Sequence, residues 1–175
     1  MKKITTKKLV VTALLMAFTI VATLFIRIPL PLVGYVNLGD AFIFLSVFIL
    51  GPICGAVVGG VGAGIADLIG FAAYAPGTLV IKALMAIAAW FVYKALKGLT
   101  KKVLLAEIAA GIVGMIVMTA GYFIYESLLF TTMAAALLNT PWNLLQGAVG
   151  VVISVSAMRV LSATKVLEKF DFYKN

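Results

Sequence analysis

Polar and ionisable side chains interrupt the long apolar stretches of this sequence, and their types suit ligand binding rather than covalent chemistry. Such residues are costly inside an apolar segment, and they usually face a bundle interior or a water-filled cavity. Together they provide an ammonium, carboxylates, amides and phenols, which donate and accept hydrogen bonds. The candidate substrate-binding residues are Tyr35, Asn37, Asp40, Lys82, Tyr122, Glu126, Asn139, Asn143 and Gln146.

The spacing of three of these residues places them on one face of a helix. Asn139 and Asn143 are four residues apart and Gln146 follows three later, and side chains at these intervals are neighbours on a helix. Two interpretations of the whole set stay open. It forms a ligand pocket that opens to the outside, or it includes a structural ion pair, such as Lys82 with Asp67, that links two helices. For Asp67 alone we favour the structural role.

Catalysis and metal binding are not expected. The sequence contains no histidine and one cysteine, Cys54, which we predict to be a small buried hydrophobic residue. The carboxylates are scattered over separate segments instead of being grouped as metal ligands. We therefore predict no catalytic residue, no metal and no cofactor, and we disfavour a membrane-embedded enzyme.

Composition predicts an all-α integral membrane protein. Hydrophobic residues make up 64% of the 175-residue chain and charged residues 11%, against about 25% charged residues in soluble domains. A span needs roughly 20 apolar residues. We predict one domain over residues 1–175, with no cleavable signal peptide because the first apolar stretch is too long for one. The six expected transmembrane helices cover residues 4–26, 38–50, 53–73, 78–96, 103–130 and 141–164.

Helix-breaking residues define the predicted connections. Residues 27–37 contain two prolines and a glycine and are expected to form a structured loop, which could cover the pocket as a lid. Tight turns are expected at Gly51-Pro52 and over residues 74–77, and a basic loop over residues 97–102. Residues 131–140 are expected to form a connection that is partly helical, and Pro141 suits the first turn of the last helix.

The basic residues predict the orientation. Twelve of the 14 Lys and Arg residues fall in three groups, before or at the start of helix 1, around the loop between helices 4 and 5, and at the end of helix 6 and beyond. With six helices all three groups lie on one side, which is the cytoplasm by the positive-inside rule. We therefore predict a multi-pass protein of the cell membrane with both termini cytoplasmic, and we read the net charge of +8 as a topology signal, not a nucleic-acid patch.

Two further features concern partners. Ala13 and Ala17, four residues apart on helix 1, either pack inside the bundle or form a flat docking face for a partner helix. The sequence has no phosphate-binding loop of the GxxxxGK[ST] type, so any ATP-driven work would need an ATPase on another subunit.

Several motifs resemble the substrate-binding S components of energy-coupling factor (ECF) vitamin transporters. They are GYVNLGD at residues 34–40, Gly51-Pro52, the glycine-rich helix that ends in Ala66-Asp67-Leu68, and YAPGTLVIK at residues 74–82. Within these transporters the sequence looks like the branch for riboflavin or for hydroxymethylpyrimidine and pyridoxine. The match is specific over residues 34–82 and weaker over helices 5 and 6.

The resemblance implies a function and a set of partners. An S component binds a micronutrient near the outer face, beneath the loop after helix 1, and releases it inside by reorienting. It associates with a transmembrane coupling (T) subunit and two cytoplasmic ATPases, and it catalyses no reaction itself. Ala13-x-x-x-Ala17 matches the small-residue motif with which S components dock on the coupling subunit.

The polar set favours pyridoxine or hydroxymethylpyrimidine as the ligand, because a small heteroaromatic with hydroxyl and nitrogen groups matches its donors and acceptors. Riboflavin would favour a roomier, more apolar pocket. Pantothenate would need a cation for its carboxylate, and Lys82 could provide one if it is not paired internally. A stand-alone secondary transporter is a further alternative, although we find no internal repeat of the kind common in such proteins.

Overall fold

Six helices and a small β-hairpin make up the computed structural model, which describes residues 5–30, 34–100 and 102–170. The hairpin pairs β1 (Arg27–Pro29) with β2 (Tyr35–Asn37) in antiparallel register. Short 3₁₀ turns lie at Ala72–Tyr74 and Val166–Lys169. The helices are α1 (Thr6–Phe25), α2 (Gly39–Leu50), α3 (Pro52–Gly70), α4 (Ala75–Thr100), α5 (Val103–Leu129) and α6 (Met133–Ala163).

The prediction of an all-α membrane protein is confirmed. Five of the helices in the described part of the chain are long and apolar enough to cross a membrane, whereas α2 has 12 residues and is shorter than the roughly 20 that a span needs. The number of spans and the orientation therefore stay predictions. The predicted helix start at Ile4 and the basic residues Lys2, Lys3, Lys101 and Lys174 lie outside the described residues.

The start of the last helix was predicted wrongly. α6 begins at Met133 instead of Pro141, because the Thr132 side chain accepts a hydrogen bond from the Ala135 backbone N–H and caps the helix there. Pro141 consequently lies inside α6. A proline inside a transmembrane helix is tolerated where neighbouring groups satisfy the freed backbone.

Two predicted connections are also helical. The expected basic loop at residues 97–102 is largely the end of α4, which continues through Gly98 to Thr100 because no proline follows Lys97. The expected turn over residues 74–77 is shorter than predicted. α4 begins at Ala75, and Pro76 lies in its first turn, where its missing N–H costs nothing.

Glycines let α3 approach its neighbours closely. The middle of α3, Val57–Gly62, is a π-helical segment. A Cβ atom on Gly59 would lie 2.9 Å from the carbonyl oxygen of Lys82, and one on Gly60 would lie 2.6 Å from that of Leu79. Both distances are too short for real Cβ contacts, so this crossing of α3 and α4 requires glycine. Gly51, with φ of +87°, allows the sharp turn between α2 and α3.

The short helix α2 occupies the middle of the bundle. Ten of its 12 residues are buried, with Ile43 and Phe44 fully so. It packs against α1, α3, α4 and α6. We call the end of the bundle that carries the β-hairpin the hairpin end, and the opposite end, which carries Lys94, Lys97 and Arg159, the basic end. α2 starts at the hairpin end, which places its first residues beside the site described next.

Candidate ligand-binding site

A small polar cavity lies at the hairpin end. Its volume is about 20 Å³, which is room for about one water molecule. Side chains from all the helices except α2, and from the hairpin, surround it. The lining residues are Thr23, Tyr35, Asn37, Ala63, Asp67, Tyr74, Thr78, Lys82, Tyr122, Glu126, Asn143 and Gln146.

A buried ion pair borders the cavity, and its Lys82 member lines it. The Lys82 ammonium on α4 pairs with the Asp40 carboxylate on α2, and both side chains are at most 2% exposed. The second carboxylate oxygen of Asp40 accepts a hydrogen bond from Gln146 Nε2 at 2.8 Å. Gly150 permits this contact, because a Cβ there would lie 2.9 Å from Asp40 Cβ. Three helices are thus tied together by one carboxylate, which leaves neither charge of the pair isolated.

A second buried carboxylate, Asp67 on α3, holds the opposite wall. It accepts hydrogen bonds from the Tyr35 hydroxyl of the hairpin and from Thr78 on α4. Thr78 in turn hydrogen-bonds the Tyr122 hydroxyl of α5 at 2.8 Å. Burial and the nearby Asp67 carboxylate both raise the pKa of the Tyr35 phenol, so Tyr35 stays protonated and acts as a donor.

Hydrogen bonds of Asn37 hold the hairpin against the cavity. Its backbone N–H donates to Gln146 Oε1 at 2.8 Å. Its side-chain oxygen accepts hydrogen bonds from the Gly39 backbone N–H at 2.8 Å and from Thr23 at 3.3 Å. Together with Tyr35, these contacts connect β2 to α1, α2, α3 and α6.

The α5–α6 side of the cavity carries a carboxylate and two amides. Glu126 accepts a hydrogen bond from Asn139 Nδ2 at 2.9 Å. Asn143, one turn further along α6, lines the cavity and is 5% exposed, and its side chain hydrogen-bonds to none of the described residues. The Asn143 amide is therefore available to a ligand without breaking a protein contact.

Aromatic rings adjoin the polar groups. Tyr74 stacks on Phe130 with ring centroids 4.9 Å apart, and Tyr122 lies 6.2 Å from Tyr74. The Lys82 ammonium lies 5.4 Å from the centroid of the Tyr122 ring. The site therefore combines hydrogen-bonding groups with flat apolar faces, as a heteroaromatic ligand requires.

The structure brings the predicted binding residues together. Asp40 and Asn139 do not line the cavity, but each hydrogen-bonds a residue that does. The remaining predicted residues line it, namely Tyr35, Asn37, Lys82, Tyr122, Glu126, Asn143 and Gln146. Whether any of them touches a ligand stays a prediction.

The predicted binding set omitted five lining residues, Thr23, Ala63, Asp67, Tyr74 and Thr78, of which Asp67 was expected to have a structural role. Thr78 had a usable signal, because it lies four residues before Lys82 and therefore on the same face of α4. The proposed pairing of Lys82 with Asp67 is replaced in the structure by Lys82 with Asp40.

The proposed docking residues lie elsewhere on the molecule. Ala13 and Ala17 are both exposed on α1, on the side opposite the buried residues Thr12, Leu15 and Thr19. They are not among the residues that line the cavity.

Solved structures share this architecture. One, described as the S component of a bacterial ECF transporter, has a TM-score of 0.66 and 23% identity, with 90% of this chain and 96% of that chain covered. Another, the S component for biotin from an ECF-type ABC transporter, has a TM-score of 0.65 and 21% identity, with coverage of 87% and 91%. The chain thus has the fold of an ECF-transporter S component, a class of membrane-embedded transport subunits.

Sequence comparison defines the family. Residues 3–163 match the family described as ECF-type riboflavin transporter, S component. The chain belongs to this family, whose members are transporter subunits and not enzymes. A protein of Pyrococcus woesei, described as an uncharacterized protein in a gap 3' region, is 42% identical over 106 residues. That match covers 58% of this chain and 66%, just under two thirds, of the relative.

Proposed function

We propose that this chain is the substrate-binding subunit of an ATP-driven vitamin importer and that its ligand is a basic heteroaromatic vitamin, pyridoxine or hydroxymethylpyrimidine. The observation that carries the proposal is the hairpin-end cavity. It gathers hydrogen-bonding side chains from five helices and the hairpin within a protein of the S-component family. Buried polar groups converging on one cavity are the usual mark of a binding site in a membrane protein.

The charges around the cavity support a basic ligand. Asp40, Asp67 and Glu126 provide three carboxyl groups, whereas Lys82 provides the one ammonium group among the lining residues. A pyridine or aminopyrimidine ring nitrogen can carry a proton, and its hydroxymethyl groups can donate hydrogen bonds to carboxylate oxygens. The aromatic faces of Tyr74 and Tyr122 suit the flat ring.

Pantothenate fits this arrangement poorly. Its carboxylate would need a free cation, but Lys82 is already paired with Asp40. The excess of carboxyl groups would also repel an anion at close range.

Riboflavin is a second candidate, favoured by the family to which residues 3–163 belong and by the stacked rings of Tyr74 and Phe130. Calorimetric titration of the purified protein against pyridoxine, hydroxymethylpyrimidine, riboflavin and pantothenate distinguishes the candidates. We expect saturable heat with pyridoxine or the pyrimidine. Saturable heat with riboflavin or pantothenate alone would refute our choice while leaving the S-component function intact.

Ligand entry requires the hairpin to move. A cavity of about 20 Å³ cannot hold a vitamin, so the walls must separate before binding. The contacts of Tyr35 with Asp67 and of Asn37 with Gln146 are hydrogen bonds that hold the two-stranded hairpin to α3 and α6. Their exchange for ligand contacts would open and then reclose the site.

Energy for uptake must come from other subunits in this proposal, a coupling subunit and two cytoplasmic ATPases. The exposed pair Ala13 and Ala17 on α1 supplies a docking face for the coupling subunit. We place both termini in the cytoplasm and the protein in the cell membrane, on the distribution of basic residues.

Reconstitution tests the transport role. Proteoliposomes that contain this chain with the coupling subunit and ATPases should accumulate the vitamin when supplied with ATP. Proteoliposomes with this chain alone should bind vitamin without accumulating it. Accumulation by the chain alone would instead establish a stand-alone secondary transporter.

A further inference from the structure

An apolar groove runs along the surface between α3 and α4, away from the hairpin-end cavity. Its volume is about 420 Å³, within the roughly 300–1,000 Å³ of typical ligand pockets. The floor consists of the small residues Ala56, Gly60 and Ala83, where the two helices approach closely. Larger apolar side chains form the rims, including Val61 and Phe91.

The dimensions of the groove match a lipid tail. On α4 it extends from Leu79 to Phe91, a rise of about 18 Å at 1.5 Å per residue. All ten residues that line it are apolar. Since both helices are long and apolar enough to span a membrane, the groove lies within the hydrocarbon region, where acyl chains are the surrounding solvent.

Two amphipathic side chains lie at the basic end of the groove. A Cβ on Gly51, the residue before the lining Pro52, would be 3.5 Å from the indole Nε1 of Trp90. The Lys94 ammonium lies 4.8 Å from the Trp90 ring centroid. Lys94 is exposed, and neither ion pair found among the described residues involves it.

The position of Lys94 along α4 corresponds to a membrane interface. Lys94 is 19 residues after Ala75, where α4 begins, and this is a rise of about 29 Å, close to the roughly 30 Å of a hydrocarbon core. Tryptophan and lysine are the residues that sit at headgroup level in membrane proteins. A cation and an indole N–H donor therefore meet the end of an acyl-chain groove at the depth of a lipid phosphate.

We propose that the α3–α4 groove is a binding site for an anionic phospholipid, with an acyl chain along the groove and the phosphate at Lys94 and Trp90. The Lys94 ammonium selects an anionic headgroup over a zwitterionic one. The small residues of the floor make the groove deep enough for an acyl chain. The site is separate from the hairpin-end cavity and does not depend on the proposed vitamin.

Tryptophan fluorescence provides the test, because the chain has two tryptophans. In the full-length Trp142→Phe variant, Trp90 is the single reporter. The protein is placed in two sets of phosphatidylcholine nanodiscs. One set contains acyl-brominated phosphatidylglycerol and the other the same fraction of acyl-brominated phosphatidylcholine, and quenching of Trp90 fluorescence is measured in each. We expect phosphatidylglycerol to bind near Trp90 about fivefold more tightly than phosphatidylcholine, which is roughly the effect of one lysine near an anionic surface. Equal quenching by both lipids would overturn the proposal.

Paired variants separate the headgroup from the groove. Lys94→Met should abolish the preference for the anionic lipid, whereas Lys97→Met, one turn further along α4, should retain it. Ala83→Leu fills the floor and should reduce quenching by both lipids, whereas Ala95→Leu, exposed on the same helix and outside the groove, should not. Circular dichroism checks that each variant is folded.

Another outcome would assign the groove to a protein. If Ala83→Leu left lipid quenching unchanged but prevented co-purification with the coupling subunit, the groove would be a helix-docking surface and the lipid proposal would be wrong. The lipid proposal would also be contradicted if Lys97→Met lost the preference for the anionic lipid as Lys94→Met does. General surface charge would then explain the selectivity.

Discussion

Two ion pairs among the described residues lie at opposite ends of the bundle, and they differ in what surrounds them. At the hairpin end, Lys82 and Asp40 are both almost completely buried and join a network that borders a cavity. At the basic end, Glu107 is fully buried but its partner Arg159 has a side chain that is 42% exposed. Neither Glu107 nor Arg159 lines the hairpin-end cavity.

The difference indicates two roles for buried charge in one membrane protein. The Glu107–Arg159 pair links α5 to α6, and its Arg159 side chain is partly exposed, as is common for a structural contact. The Lys82–Asp40 pair is dehydrated and shares its carboxylate with Gln146, whose other amide atom binds the hairpin. Charges that are costly to bury and that border a cavity are expected at a binding site.

Removing Lys82 should have the largest effect on stability. In Lys82→Met, Asp40 is left as a buried charge without its cation, and we expect the free energy of unfolding in detergent to fall by about 3–5 kcal/mol. The double variant Asp40→Asn/Lys82→Met removes both charges and should recover most of that loss, as chemical denaturation would show. Equal losses in the single and double variants would mean that the pairing itself is unimportant.

Replacing Asp67 tests whether a carboxylate at the hairpin end, unlike one at the basic end, contributes to vitamin affinity. Asp67→Asn replaces a carboxyl acceptor of Tyr35 and Thr78 by an amide, and we expect vitamin affinity to fall by about 1.5–3 kcal/mol, or roughly 10- to 150-fold. Glu107→Gln, the same change at the basic end, is the matched control and should leave affinity unchanged. Calorimetry on both variants checks this, and similar losses in the two would contradict separate roles.

At the basic end we expect a smaller loss of stability. Arg159→Met removes a cation that is only partly buried, so its effect should lie between those of surface and buried pairs, at about 1–3 kcal/mol in the free energy of unfolding. Vitamin affinity should not change, because neither partner lines the cavity. A weakened affinity would show that the two ends are coupled.

Within the site, we expect one asparagine of α6, Asn143, to affect vitamin binding and the other, Asn139, to affect stability. Asn143→Ala should weaken vitamin binding by about 1 kcal/mol with little effect on unfolding, because its amide hydrogen-bonds to none of the described residues. Asn139→Ala removes the Asn139 donor from the buried Glu126 and should mainly lower the unfolding free energy. The reverse assignment, measured by calorimetry and denaturation, would overturn our account of this wall.

The smallest effect on affinity is expected on the membrane-facing side of α1. Ala13→Leu and Ala17→Leu should leave vitamin binding unchanged but reduce co-purification with the coupling subunit, because bulk prevents close approach of helices. Val21→Leu, also exposed on α1, is the matched control and should still associate. Reduced vitamin binding in the alanine variants would argue that α1 packs inside the site instead.

The helices were predictable from the sequence because apolar length is a strong signal, whereas their ends depended on local capping. Thr132 begins α6 well before Pro141, and a proline alone does not reveal where a cap lies. The strands of the hairpin have three residues each, too few for a recognisable alternation. Residues 27–37 could therefore be identified only as a structured loop.

The site was predictable as a set of residues but not as a set of pairs. Polar residues within apolar helices can be recognised from the sequence alone, which is why most of the lining side chains were predicted. The partner of Lys82 depends on how α2 crosses α6 at Gly150, and no spacing rule within one helix determines that crossing. Thr23 and Tyr74 were missed because a threonine or tyrosine near a helix end has many ordinary roles.

A crystal structure of the protein with the vitamin that calorimetry selects would test the central claim most directly. We predict that its ring lies at the hairpin end between Tyr74 and Tyr122, with a polar group within hydrogen-bonding distance of the Asn143 amide and the hairpin closed above it. A ligand bound at the basic end, or at the hairpin end without contact to Asp67, Asn143 or Gln146, would contradict the account.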